Sequence, residues 1–308
     1  MNRKVIFAGS LIVLAGIFLT GCKKDNDAEL KAQEMRLLEQ YLNNNNITQE
    51  PTPSGLYHIP IVEGSGRSLN DSTWIEIEYA GELVDGTVFS TNLDSVARVH
   101  GLYHESFLYG PSRFQIGNIN IDGLTEGLQL MNVGGRSVLI IPSHLAYGSG
   151  STERIPPYST LIYTIDLLTA FDNPVHYEEE QIQNYLVEND FPDEPLESGL
   201  YYFEQVEGTG DTVGFGDQVQ AWYTGFFFDG RIFDSNIHGE ILVRTIPDEN
   251  LIQGFNEGLM LMREGSKGIM IIPYYLAYGP LGAKDNFGVT RIPPYKTLVF
   301  EVEVVKIN

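Results

Sequence analysis

Across residues 219–235, aromatic and β-branched side chains gather on both sides of Asp229-Gly230, the pattern of a strand, a turn and a second strand. The Asp-Gly pair supplies the positive φ angles that a tight hairpin needs. The same design occurs earlier, across residues 74–90. Tyr79, Asp85-Gly86 and Phe89 stand 144 positions ahead of Tyr223, Asp229-Gly230 and Phe233. A repeat at that spacing is a duplication of domain length.

The rest of each copy follows the same order. Residues 29–42 and 177–188 are rich in helix formers, with Leu38 and Leu42 in one and Ile182 and Leu186 in the other forming a partial apolar stripe. Such leading helices serve as spacers, as an association surface for a homodimer, or as packed structural helices, the last being the reading adopted. Proline-bearing linkers lead to strands that open at Ser54 and Ser198. Beyond the hairpins lie short helices in which Leu124, Leu128 and Met131, or Phe255, Leu259 and Met262, recur at i, i+4 and i+7, so each presents one apolar face. Gly134 and Gly265 read as their C-terminal stops. Apolar strands follow at 138–141 and 269–272, and closing strands begin near Thr160 and Thr297.

One short amphipathic helix among several antiparallel strands predicts an α+β fold, in each copy a curved antiparallel sheet wrapped around the helix. The resulting division is a leader at 1–21, a tether and helix at 22–53, a first domain at 54–171, a linker helix at 172–197 and a second domain at 198–308. The copies differ most between residues 90 and 113, where the first carries 13 extra residues. Their aromatic and small side chains suggest a partly ordered flap placed over the mouth of that domain.

Composition narrows the function. The 308-residue chain carries a formal charge of −22, which repels phosphate backbones and argues against nucleic acid as a partner. Cys22 is the sole cysteine, so the domains use neither disulfides nor thiol chemistry. The segment 118–129 imitates a calcium loop but ends in Gln129 where a glutamate is required. His100 and His104 have helical spacing without the glutamate of a zinc protease motif. No metal site, cofactor site or nucleophile with its base emerges.

The leader has a basic start at Arg3-Lys4, an apolar run over residues 5–19 and small residues up to Cys22. It resembles the lipobox of bacterial lipoproteins, which implies cleavage before Cys22, lipidation of its thiol and attachment to a membrane. An uncleaved anchor and an ordinary signal peptide are the alternatives. Lys23-Lys24-Asp25-Asn26-Asp27 is similar to the charged signal that directs some Gram-negative lipoproteins to the outer membrane surface, so the cell envelope, at the outer membrane, is the expected location.

The ordered blocks Trp-Tyr-Thr-Gly, Phe-Asp-Ser, Leu-Ile-Gln-Gly-Phe-Asn-Glu-Gly, Leu-Ala-Tyr-Gly, Ile-Pro-Pro and Leu-Val-Phe-Glu-Val-Glu, from Trp222 to Glu303, resemble FKBP-type peptidyl-prolyl cis-trans isomerases. The first copy follows this framework more loosely. The resemblance implies a pocket with Tyr223, Phe233 and Phe300 as walls and Phe255 as floor, where the family usually has Trp, closed by Ile292. Tyr278 would donate its hydroxyl to a substrate carbonyl, the Ile252 N–H would hold another, and Asp234 would orient the tyrosines. No cofactor is implied.

In the first copy Tyr79, Phe89, Ile121, Tyr147 and Ile155 match the pattern. Ser90 stands where Asp is expected, Leu124 replaces the floor aromatic and Tyr163 puts a hydroxyl on one wall. The resemblance thus implies catalysis mainly in the second domain, with the first binding or spacing. The expected partners are Pro-containing exported polypeptides, and a non-catalytic peptide-binding adaptor is the alternative.

Overall fold

The computed structural model describes residues 22–105, 107–286 and 288–308. The leader at 1–21 and the side chain of Cys22 lie outside the described residues.

A long helix α1 (Cys22–Asn44) precedes the first sheet, which contains β1 (Tyr57–Val62), β2 (Trp74–Leu83), β3 (Val88–Thr91), β4 (Ser112–Gln115), β5 (Arg136–Ile141) and β6 (Leu161–Phe171). Between β3 and β4 lies α2 (Asp94–Val99), and between β4 and β5 lies α3 (Asp122–Gln129). A second long helix, α4 (Pro174–Glu188), introduces β7 (Tyr201–Val206), β8 (Gln218–Phe226), β9 (Ile232–Ser235), β10 (Leu242–Thr245), α5 (Gln253–Leu259) and β11 (Lys267–Ile272). The chain ends with a small pair, β12 (Ala283–Lys284) and β13 (Thr290–Ile292), and the long β14 (Leu298–Ile307).

Each large sheet has six antiparallel strands, and the two have equivalent order. In the first the path is β1-β5-β6-β2, with β3 and β4 sharing the outer edge of β2; in the second it is β7-β11-β14-β8, with β9 and β10 sharing the edge of β8. The short helix of each copy lies in the curve of its sheet. Leu124, Leu128 and Met131 are buried in the first core, and Phe255, Leu259 and Met262 in the second, so the predicted apolar faces are the packed ones.

Two local expectations need correction. The hairpin turns are wider than a two-residue loop: Phe227 donates to Arg231 O at 3.0 Å, and only Gly230 of the Asp-Gly pair has positive φ, at 81°. Asp229 instead caps the turn, accepting from the Arg231 N–H at 3.0 Å. Gly134 and Gly265, with φ of 79° and 84°, do not end the short helices. They lie beyond Gln129 and Leu259, where their N–H groups bond Leu167 O and Val304 O at 2.8 Å and lead the chain into β5 and β11. The insertion also reaches the second domain. Its Leu108 packs against the second domain's core, and Tyr109 O accepts from Arg231 Nη1 at 2.9 Å.

Both leading helices lie on their own domains. The stripe of α4, Ile182 and Leu186, is buried against Tyr201, Ile269, Ile271 and Val299 on the outer face of the second sheet. Tyr185 stacks near Phe228 with ring centres 4.8 Å apart, which closes that junction. On α1, Glu34 accepts from the Ser143 N–H and hydroxyl, each at 2.6 Å. The corresponding junction is more open here, leaving a groove of about 710 Å³ between α1, the tip of the first hairpin and Pro156-Pro157.

A buried charge cluster joins the two domains. Arg113 on β4 lies 2.6 Å from Glu76 on β2 and 2.8 Å from Glu178 on α4, while Lys296 approaches the same two carboxylates at 3.8 and 3.6 Å. Burial works against the Arg113 charge, but Glu178 and Glu76 outweigh it and hold the guanidinium firmly protonated. Beside the cluster, Phe171 and Tyr177 stack at 4.0 Å, and the Arg113 guanidinium lies 5.3 Å from each ring centre.

Candidate active site

In the second domain, three strands and one helix bring the aromatic residues to a single point. Tyr223 projects from β8, Phe233 from β9, Phe300 from β14 and Phe255 from α5. Phe300 is the hub: its ring centre is 6.0 Å from Tyr223, 5.4 Å from Phe233 and 4.9 Å from Phe255, mostly edge to face. Such pairs contribute about 0.5–1.5 kcal/mol each beyond their buried area. Phe255 also meets Tyr223 at 5.6 Å and is only 3% exposed, so it forms the floor of the cluster.

Gly225 explains why the Trp-Tyr-Thr-Gly block ends as it does. A Cβ there would lie 2.6 Å from the Phe233 ring and 2.8 Å from Phe300, so any larger residue would separate the two walls.

Polar groups edge this apolar cluster. The Tyr223 hydroxyl donates to Asp234 Oδ2 at 2.8 Å. Burial, reinforced by that bond, pushes the Tyr223 hydroxyl well above its ordinary pKa. Tyr278, in the loop after β11, is 44% exposed; burial and then the charge of Asp234 raise its pKa as well. Both phenols therefore remain protonated donors at neutral pH. Ile252 caps α5 with an extended backbone, and its N–H makes no hydrogen bond among the described residues. Ile292, at the end of β13, is buried in the same core.

The first domain keeps the frame and changes its contents. Tyr79 on β2 and Ser90 on β3 share a hydrogen bond of 3.0 Å where the second domain has a tyrosine and a carboxylate. Tyr163 on β6 meets Tyr79 at 6.0 Å and Phe89 at 5.6 Å. With Leu124 as floor, the space is not filled. A cavity of about 200 Å³ opens between Tyr79, Leu124, Tyr163, Phe114 and Ile119. On the other side of Tyr163, a hollow of about 260 Å³ is lined by Phe89, Ser90, Tyr147 and Ile155. Tyr163 divides the two spaces, and burial raises its pKa far above that of a free phenol. Ile121 caps α3 and is buried in the core beside them.

Sequence reasoning missed several residues that build these sites. Asn92 and Asn236 are counterparts that fold the edge strand back onto its neighbour. Asn236 Oδ1 accepts from the Tyr223 N–H at 2.7 Å while its amide donates to Ala221 O at 3.0 Å; Asn92 repeats this with Tyr79 and Ile77, each at 2.8 Å. Their common spacing of 144 is the signal that could have found them. Asn256 likewise bonds Asp248 N–H and O at 2.8 and 2.9 Å, tying the approach to α5. Phe114 and Asn118 line both the first-domain cavity and an adjoining interdomain groove of about 440 Å³.

Residues 66–168 and 210–305 match the family described as FKBP-type peptidyl-prolyl cis-trans isomerase. The chain belongs to that family. Its FKBP domains are 30% identical over 254 residues to the peptidyl-prolyl cis-trans isomerase FKBP10 of Mus musculus, covering 82% of this chain and 37% of that protein. They are 42% identical over 112 residues to the FKBP-type 22 kDa peptidyl-prolyl cis-trans isomerase of Escherichia coli strain K12, covering 36% of this chain and 51% of that one. The chain thus spans a third to a half of the length of these FKBP relatives. Among solved structures, FkpA from Escherichia coli aligns with a TM-score of 0.37 and 26% identity, over 48% of this chain and 65% of that one.

Proposed function

We propose that the chain is a peptidyl-prolyl cis-trans isomerase that assists exported polypeptides, with turnover mainly in the second domain and binding in the first. The observation that carries this reading is the pairing of Tyr223 with Asp234 on the edge of a closed aromatic cluster, with the Tyr278 hydroxyl and the unused Ile252 N–H beside it.

The chemistry to be accelerated is rotation about an X-Pro amide, whose resonance imposes a barrier of about 18–20 kcal/mol. Rotation removes the conjugation and with it the charge separation of the planar amide. Rings such as Phe233, Phe255 and Phe300 solvate the planar, dipolar amide poorly and lose less when it twists. Tyr278 and the Ile252 N–H can accept the job of holding the flanking carbonyls, as donors fixed in place before the substrate arrives. Asp234 orients the Tyr223 hydroxyl and supplies a negative field close to the twisting bond. No bond is made or broken, so no nucleophile is needed.

Attachment to the outer membrane through lipidated Cys22 belongs to the same reading, supported by the leader sequence alone. It would place the clients outside the inner membrane.

A second reading, peptide binding without turnover, is favoured by the first domain, where Ser90 replaces the carboxylate and Leu124 leaves an open cavity. Exchange NMR on a short X-Pro peptide with the whole chain separates the two. Tyr278→Phe is expected to lower the isomerisation rate about tenfold, the worth of 1.4 kcal/mol, with peptide affinity held within about twofold. Equal loss of affinity and rate would favour binding, and a wild-type chain without catalysis would end the enzyme reading.

A further inference from the structure

The loop that closes the second domain's site is held from the first domain at three consecutive residues. Pro294 O accepts from Arg113 Nη1 at 3.4 Å. The Tyr295 ring meets the edge of Trp74, on β2, with centres 5.6 Å apart and planes at 82°. Lys296 enters the cluster of Glu76 and Glu178.

Tyr295 passes this grip to the site. Its N–H donates to Gly279 O at 3.1 Å, one residue beyond Tyr278, and its ring lies 5.2 Å from Tyr274 in the turn that leads into Tyr278. Tyr295 also has a φ of 58°, a left-handed conformation that side chains other than glycine adopt at a cost and keep only where the surroundings impose it. Trp74 on one side and Tyr274 on the other flank the ring that this backbone projects.

The first domain shows what differs. Its counterpart, Tyr158, has the same φ of 55° and the same bond to Gly148 O at 2.8 Å, next to Tyr147. Its contacts outside the domain come from α1: Lys31 lies 5.6 Å from the ring, and Asp27 accepts a hydrogen bond from the hydroxyl. Thus the leading helix supports this loop in the first copy, whereas in the second the preceding domain supports it together with the leading helix.

We infer that Trp74, aided by Arg113, is a positioning residue for the second-domain site, acting through Tyr295 on the Tyr278 hydroxyl. The inference rests on the reading that the second domain isomerises X-Pro bonds. It gives the first domain a part in that reaction without its own pocket taking part.

The test uses the whole chain and an X-Pro peptide, with kcat and KM obtained by exchange NMR across peptide concentrations. Trp74→Ala and Trp74→Leu, which keeps bulk but offers no ring edge, should lower kcat about three- to tenfold, since a small displacement far from the chemistry suffices for such a loss. KM should stay within about twofold. Trp74→Phe, which retains an edge, should restore kcat to within about twofold of wild type. In a Tyr278→Phe background, Trp74→Ala should cause no further loss, because both changes remove one interaction. An equal further loss in that background would overturn the inference, as would unchanged kcat in both Trp74 variants while Tyr278→Phe remains impaired; the reading of the second domain would then stand. An unimpaired Tyr278→Phe would overturn both.

Discussion

Glu34 and Glu178 are counterparts in the duplicated unit, each reaching from a leading helix to the start of its domain's closing strand. Glu34 accepts from the Thr160 hydroxyl at 3.0 Å, and Glu178 from the Thr297 N–H at 2.8 Å. Among the described residues only Glu178 of the two also meets charges, Arg113 at 2.8 Å and Lys296 at 3.6 Å. One inherited carboxylate thus latches a helix in the first copy, and a helix and a neighbouring domain in the second.

Their substitution should cost different amounts. Glu34→Gln removes charge-assisted bonds at a half-exposed site and should lower stability by about 1–2 kcal/mol. Glu178→Gln leaves Arg113 and Lys296 buried with Glu76 alone and should cost about 3 kcal/mol. Urea midpoints of the two variants check the order.

The same latch predicts an acid limb. Burial pushes the Glu178 carboxyl up, but Lys296, Arg113 and the Thr297 N–H together hold it below the ordinary carboxylate value. A carboxyl whose folded-state pKa is lowered lends stability that is present above the unfolded value, about 4.3 for glutamate, and is lost as pH falls through the folded one. The urea midpoint of the wild-type chain should therefore drop below about pH 4.3, with part of that slope missing in Glu178→Gln.

Restoring the carboxylate should awaken the first domain. In an Asp234→Ala chain, whose remaining turnover is low, Ser90→Asp places an acceptor opposite the Tyr79 hydroxyl, now 3.0 Å from Ser90 Oγ. A charge-assisted bond is about twice as strong as the neutral one it replaces. Isomerisation should rise about fivefold, as read by exchange NMR; no rise would mean that Leu124 and Tyr163, not Ser90, set the limit.

Filling the first-domain floor offers a separate check. Leu124→Phe occupies part of the cavity of about 200 Å³ and should add up to about 1 kcal/mol of stability through buried apolar area. It should also weaken binding of a Pro-containing peptide to the first domain, followed through the NMR shifts of the cavity-lining Tyr79 and Tyr163. Unchanged affinity would place binding elsewhere than this cavity.

Catalysis should be insensitive to mild alkali. Burial first, then Asp234, raises the pKa of Tyr278, so its donor proton is held beyond the ordinary phenol value of about 10. The rate should remain flat from about pH 7 to 9 and fall only above about pH 10; a decline near pH 8 would implicate another group.

Much of this architecture was legible in the chain. The duplication, the two apolar helix faces and the convergence of Tyr223, Phe233, Phe255 and Phe300 follow from local pattern and family resemblance, because strand alternation and helical spacing decide which side chains face inward. The turns were misread at Asp229 and Gly134, where the actual bonds involve partners such as Arg231 and Leu167. The insertion's contacts with the second domain were missed for a stronger reason. Leu108, Tyr109 and Arg113 find their partners about a hundred or more residues downstream or on α4, and no local periodicity encodes that choice.

Leu108 belongs to the first copy by descent and to the second by packing. A crossover between the copies would leave this apolar residue facing water on one product and a vacant seat on the other, with Arg113 severed from Glu178. The pair is therefore the heritable unit, and each copy has become a poor candidate for exchange with a free-standing relative.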